Sequence, residues 1–250
     1  MKTRAAVLTR IGAPAPYAES RPLEVTEVDL APPGPGEVLV RVVAAGLCHS
    51  DLSIINGARP RRTPIVLGHE AAGVVEALGE GVTDLVPGDH VIQVVVLSCG
   101  HCAPCSEVRP VLCEPAGAAN VAGTLLGGER RLSWHGQPMD HFVGVSAFAQ
   151  HAVLSRRGVQ KIDRELPLEI AALFGCAVMT GVGAVVNTSQ VRPGQSVAVV
   201  GLGGVGLSAV MGALAAGAGR VVAVDLADDK LAFARRLGAT DVVNAGADNA

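Results

Sequence analysis

The chain has 250 residues, with 20 Lys and Arg against 23 Asp and Glu, a formal charge of −3. That length allows one or two domains, and the near-neutral balance gives no electrostatic reason to expect nucleic acid or an anionic membrane as partner. Hydrophobic residues at 49% and charged residues at 17% exclude disorder and can fill a sizeable core. With only 2% aromatics but 31 Gly, that core must come from Val, Ala and Leu, joined by many tight turns.

Residues 1–20 lack the apolar stretch and cleavage signature of a secretory signal. The first half then reads as short strands punctuated by Gly and Pro, at 4–9, 24–28, 37–44, 73–78 and 90–96. An irregular stretch is expected over 99–141 and a further strand at 151–155. From Pro167 the character changes. Helical patterns at 168–174 and 178–187 precede a buried strand at 196–200, a helix at 204–218, a strand at 221–225, a helix at 228–237 and a strand at 241–243. Strands alternating with helices predict right-handed βαβ units and a parallel sheet, so the fold class is α/β, with a β-rich domain first. Residues 197–219 form a run of 23 without a charge, long enough to imitate a membrane span. Its seven glycines and strand-like ends instead indicate a buried strand, turn and helix. The chain is expected to be soluble and cytoplasmic.

Four of the six cysteines, Cys99, Cys102, Cys105 and Cys113, are spaced C-x2-C-x2-C-x7-C. Four thiolates bind Zn2+ tetrahedrally and close its coordination shell, so the pattern predicts a structural site that pins one loop. His101 lies inside the cluster and could replace one thiol. Cys48 and Cys176 stand far apart in the chain, as does His69. Each alone reads as an ordinary buried thiol or turn histidine. Together they could supply three zinc ligands with an open fourth position, an arrangement that sequence spacing does not establish.

Gly201-Leu-Gly203-Gly-Val-Gly206 follows a predicted strand and opens a predicted helix, and Asp225 comes 19 residues after Gly206. This is the full context of a dinucleotide-binding turn: pyrophosphate rests on the helix N-terminus, and the acid accepts from the adenosine ribose. A carboxylate there repels an added 2′-phosphate, which predicts NAD rather than NADP.

In combination the chain resembles the zinc-dependent alcohol dehydrogenases of the medium-chain dehydrogenase/reductase family. The resemblance rests on Gly46-Leu-Cys-His-Ser-Asp51, Gly68-His-Glu-Ala-Ala-Gly73, the cysteine cluster, Gly175-Cys-Ala-Val-Met-Thr-Gly181 and Gly201–Gly206. It implies a GroES-like zinc-binding domain over 1–178 and a partial Rossmann domain over 179–250, with the active site in the cleft between them. It makes Cys48, His69 and Cys176 ligands of a catalytic zinc, giving two zinc ions per chain. Asp51 becomes the acid that orients His69, Glu70 the acid behind the metal, and Ser50 the hydroxyl that accepts the alcohol's proton. His49 and Lys230 are implied at the cofactor's pyrophosphate and ribose, and Thr180 and Val205 at its nicotinamide. Val95, Phe142 and Val143 are implied to line the substrate pocket. In many relatives a histidine ends the proton path, whereas the matching position here is Ser53. The implied activity is hydride transfer between an alcohol and NAD, in a full-length form that is a homo-oligomer.

One alternative is a zinc-binding chain without catalysis. The other, a zinc-free reductase of the same superfamily, is opposed by the joint presence of all seven presumed ligands. The family's Rossmann domain carries a second half and a final segment returning to the β-domain, and this sequence contains neither. The chain by itself is therefore expected to be inactive and poorly soluble.

Overall fold

The computed structural model describes residues 1–247. Its internal contacts divide the chain into Met1–Gly175 and Cys176–Ala250.

The first unit is a β-structure of eleven strands among the described residues: β1 (Lys2–Leu8), β2 (Leu23–Leu30), β3 (Glu37–Ala45), β4 (Ile65–Val66), β5 (Ala71–Leu78), β6 (His90–Gln93), β7 (Leu132–Trp134), β8 (Gln137–Pro138), β9 (Asp140–His141), β10 (His151–Ser155) and β11 (Val159–Lys161). They form a six-stranded sheet ordered β8-β7-β2-β1-β4-β9 and a five-stranded sheet ordered β10-β3-β5-β6-β11. Pairing is antiparallel except between β4 and β9. The cores are aliphatic, as the composition requires: Val38, Val40, Val75, Val91 and Leu154 fill one cluster, and Val7, Val28, Leu30, Leu125 and Val153 another. Short β-rich elements and frequent turns give sheets that carry loops at their ends, and these loops hold the chemistry.

Several elements depart from the sequence-based expectation. The strand expected over 90–96 ends at Gln93, opposite Val159 at the start of β11, with one further in-register bond from the Val94 N–H to the Gly158 carbonyl (2.8 Å). The stretch expected to be irregular contains helices Ala103–Ser106 and Glu114–Ala122 as well as β7 to β9. The expected helix at 168–174 is an α-turn, Leu168–Ala171, continued as a 3-10 turn, Ala172–Gly175.

β9 buries His141 at 2% exposure. Its Nε2 accepts from the Arg131 N–H at 3.0 Å, and among the described residues its Nδ1 has no partner. Burial, reinforced by Arg130 and Arg131 and opposed by Asp140, pulls its pKa from 6.5 down to about 4. The ring is therefore neutral when folded, while the unfolded chain takes up a proton below pH 6.5. Above that pH the histidine contributes nothing to the pH dependence. Between 6.5 and 4 stability falls as pH falls, by about 2 kcal/mol at pH 5. Urea unfolding at pH 8 and pH 5 is expected to show a smaller loss in His141→Gln than in the wild type, and equal losses would refute the assignment.

The second unit begins with helix Ala177–Gly183, continued by a π-turn, Ala184–Thr188. Strands β12 (Ser196–Val200), β13 (Arg220–Asp225) and β14 (Asp241–Asn244) then alternate with helices Gly204–Ala215 and Asp228–Leu237. The sheet is parallel, ordered β12-β13-β14. Val199, Leu202, Val210, Ala213, Val221 and Ala223 make its core. The uncharged run at 197–219 thus resolves into strand, turn and helix. No single helix among the described residues is long and apolar enough to cross a membrane. The α/β class stands: a GroES-like β-domain followed by Rossmann-type βαβ units.

Candidate active site and metal centres

Cys48 ends the segment after β3 and caps helix His49–Ile55. The helix starts here because its third residue, Asp51, reaches back to the Cys48 N–H (3.2 Å), as in a capping box. Leu52, Ile54 and Ile55 then supply its apolar face, the last two buried. Asp51 is itself buried at 3% exposure and does more than cap: Oδ1 accepts from the Gly68 N–H (3.0 Å) and from His69 Nδ1 (3.2 Å). One carboxylate therefore ties the loop before β5 to the helix start, and it assigns ligation by His69 to Nε2. Burial pushes the Cys48 thiol up, but hydrogen bonds from the Ser50 backbone and hydroxyl and from His69 outweigh it, so the thiol ionises below its ordinary value. Glu70 is buried beside Gly46, whose N–H donates to the Glu70 carbonyl at 2.7 Å. His49 is exposed at the head of the helix, 3.4 Å from the Ser53 hydroxyl through Nδ1.

Cys176 follows directly on Gly175. A Cβ on Gly175 would lie 2.3 Å from the Gln93 carbonyl oxygen, so only glycine lets the chain press onto the end of β6 here. The peptide bond then delivers Cys176, and the ligand atoms of Cys48, His69 and Cys176 lie within 4.8 Å of one another. Two thiols and an imidazole at that spacing suit Zn2+, with a fourth position left for another ligand. Asp51→Asn is expected to weaken zinc at this group by roughly 10–100-fold, since it loosens the hold on His69. Competition with a chromophoric chelator measures the change, and unaltered affinity would show that Asp51 serves only the helix cap.

The four clustered cysteines also converge, their sulfurs within 4.8 Å of one another. His101 does not replace a thiol in the set; its Nδ1 bonds the Cys99 carbonyl at 3.0 Å. Backbone N–H groups point at sulfur: Cys99 to Cys113 Sγ (3.2 Å) and Cys102 to Cys99 Sγ (3.3 Å). The His101 N–H, opposed by burial and helped by the Cys102 N–H, lowers the Cys99 thiol to about 6. Burial and the three neighbouring thiols push Cys105 up to about 11. Donors aimed at sulfur fit thiolates, and four thiols crowded around one point ionise together only around a cation. The donor set fits a closed structural zinc.

In the second unit Gly201 (φ +88°) turns the chain out of β12, and Gly206 lets the helix start close upon it, because a Cβ there would lie 1.8 Å from the Gly201 carbonyl oxygen. Gly203, by contrast, faces open space at the start of the twelve-residue helix Gly204–Ala215. A phosphate can approach that backbone closely. Asp225 ends β13, with its carboxylate bonded to the N–H groups of Leu202 (2.6 Å), Leu226 (2.8 Å) and Ala227 (3.0 Å). Those of Leu202 and Ala227, against a burial penalty and with help from Lys230 Nζ at 3.8 Å, hold it below the usual carboxylate range. Val205 and Lys230 are exposed on this unit, as is Thr180 on helix Ala177–Gly183.

Residues 34–164 match the alcohol dehydrogenase GroES-like domain family, and residues 204–250 match the zinc-binding dehydrogenase family. The chain belongs to the zinc-dependent alcohol dehydrogenases of the medium-chain dehydrogenase/reductase family. It is 45% identical, over 98% of its length, to an S-(hydroxymethyl)glutathione dehydrogenase of Escherichia coli. Among solved structures of this family it resembles an alcohol dehydrogenase zinc-binding domain protein from Burkholderia ambifaria (TM-score 0.91, 40% identity) and the benzyl alcohol dehydrogenase of Acinetobacter calcoaceticus (TM-score 0.87, 35% identity). Each alignment covers all of this chain and 65% of the other. The chain spans 64% of the length of the Escherichia coli dehydrogenase.

Within the first unit Phe142 packs edge-on against the His69 ring (centroids 5.5 Å apart, planes at 78°). Val95 and Val143 line a cavity of about 160 Å³ that also meets Cys113 and Asn120. The structure also brings Arg61 and Asn120 together beside Phe142. Arg61 lies in a basic loop, Arg59-Pro-Arg-Arg62, and no motif in the sequence marks it.

Proposed function

We propose that the chain belongs to an enzyme that oxidises an alcohol to an aldehyde or ketone, or reverses that reaction, with NAD as hydride carrier and two zinc ions per chain. The observation that carries this reading is the convergence of Cys48, His69 and Cys176, with Asp51 holding His69 by Nδ1. Three ligands of that kind leave a coordination position for substrate, whereas the four-thiol set leaves none. A zinc ion held there supplies a Lewis acid that makes an alcohol proton easy to remove. NAD supplies the acceptor for the hydride.

The chain's own residues do the rest. Asp51 fixes the tautomer and plane of the His69 ring. Glu70, buried behind the same loop, adds negative charge near the ligands. The Ser50 hydroxyl takes the alcohol's proton and passes it towards solvent. With Ser53 in place of a histidine on that path, water or the neighbouring His49 must complete it. In the second unit the backbone at Gly201, Gly203 and Gly206 receives the pyrophosphate, and Asp225 receives the ribose, with Lys230 beside it.

The test is NADH formation at 340 nm from the zinc-loaded full-length enzyme to which the chain belongs, given a panel of alcohols. Oxidation with NAD is expected to exceed that with NADP, because Asp225 keeps its charge and meets the 2′-phosphate with like sign. Asp225→Gly removes that charge together with the hydrogen bond from Leu202 in the glycine turn, so NAD use should weaken and the gap between the cofactors should narrow by roughly 10-fold. Equal use of NAD and NADP by the wild type would refute this role for Asp225.

A further inference from the structure

Of the arginines at 61, 62, 130 and 131, three are neutralised by carboxylates. Arg62 and Arg130 both reach Asp140, each at 2.9 Å, and Arg131 reaches the buried Glu37 at 2.7 Å. Arg61 is the exception. Its guanidinium donates to the Asn120 carbonyl and to Asn120 Oδ1, both at 3.1 Å, and stands over the Phe142 ring at 6.0 Å. No carboxylate among the described residues lies within ion-pair distance of it. A neutral amide fixes the direction of the fork but leaves its charge unmatched, and a half-buried cation without a counterion costs stability. Two donors of the fork are used, and the others remain for a ligand.

The location gives this charge a purpose. Phe142 separates Arg61 from the ring of His69, so the cation stands one aromatic ring away from a presumed zinc ligand. Asn120 is a shared wall. It lines the cavity containing Val95 and Val143, and it also lines a second cavity containing Arg61, Arg62 and His141. The second cavity is also lined by Asp140, whose charge Arg62 and Arg130 already match, so Arg61 is the cation there left for an anion that reaches past Asn120.

We propose that Arg61 is a specificity-determining residue that binds a carboxylate at the far end of the alcohol substrate. This rests on the alcohol-oxidising reading above and narrows its substrate class to alcohols carrying a compact anion. Arginine suits the task because its planar fork accepts a carboxylate in two-point contact. Asn120 and Phe142 act as positioning residues, holding the fork in place.

Equilibrium binding of benzyl alcohol and of 4-(hydroxymethyl)benzoate to zinc-loaded protein, by calorimetry, tests the proposal. The wild type should bind the carboxylate roughly 10-fold more tightly or better, with a preference that shrinks as salt is raised. R61Q should reduce the preference to less than about twofold, and R61K should retain part of it. A carboxylate that binds at the metal instead gives a preference that survives R61Q, and that result overturns the proposal. So does equal binding of the two probes by the wild type, failure of both to bind, or an R61Q variant that weakens both alike and merely lowers Tm, as a purely structural clamp on Asn120 would. Turnover is read separately. A protein that discriminates the probes through Arg61 yet forms no NADH from either contradicts the alcohol-oxidising reading and leaves the carboxylate site standing.

Discussion

Replacing Cys99 by Ser is expected to abolish one of two zinc sites and to lower Tm by roughly 10 °C or more. Cys99 Sγ accepts N–H groups from His101 and Cys102, and its own N–H donates to Cys113, so the loop is organised around these sulfurs. The helices that follow, Ala103–Ser106 and Glu114–Ala122, are short and bury little, with Val108, Val111 and Leu112 exposed between them. Few apolar contacts hold this segment, so the ion's binding energy is a large part of what folds it. Thermal unfolding with zinc analysis on the same sample measures the effect. A variant with one zinc and an unchanged Tm would mean that the loop folds without its metal.

Cys48→Ala is expected to behave in the opposite way. Alcohol oxidation should fall by roughly 10³-fold or more, because the group that activates the alcohol loses a ligand. Stability should change little, since the Cys48 thiol is only half-buried and the half of the capping box that Asp51 makes with the Cys48 backbone N–H is kept. Tm within about 3 °C of the wild type is the expected result. Full activity in this variant would remove Cys48 from the reaction, whereas a collapse in Tm would make its role structural.

The difference between the two cysteine groups also explains what could be read from the sequence. The four thiols of the closed set lie in one short segment, so their spacing alone foretells a loop wrapped around an ion. Cys48, His69 and Cys176 come from three separated segments, and no periodicity brings them together; only the family resemblance did so in advance. The parallel strands β12 to β14 were legible because buried strands read as uninterrupted apolar runs, and the glycine turn marks where the first one ends. Helix His49–Ile55 was not identified, although Asp51 at its third position and the apolar Leu52, Ile54 and Ile55 were visible. Seven residues make only about two turns, too few to show a helical period in the sequence. Helix Glu114–Ala122 has Pro at its start and Gly123 past its end, but its alanine-rich body shows no apolar stripe. Arg61 was hidden for a different reason: its meaning depends on Asn120 and Phe142, which lie far away in sequence.

The central claim is that one chain holds a closed four-thiol zinc and a separate three-ligand zinc. Zinc per folded Cys48→Ala chain, measured by elemental analysis after gel filtration, tests it most directly. The account predicts one ion in the variant against two in the wild type, with the fold preserved. Two ions retained in the variant would contradict it.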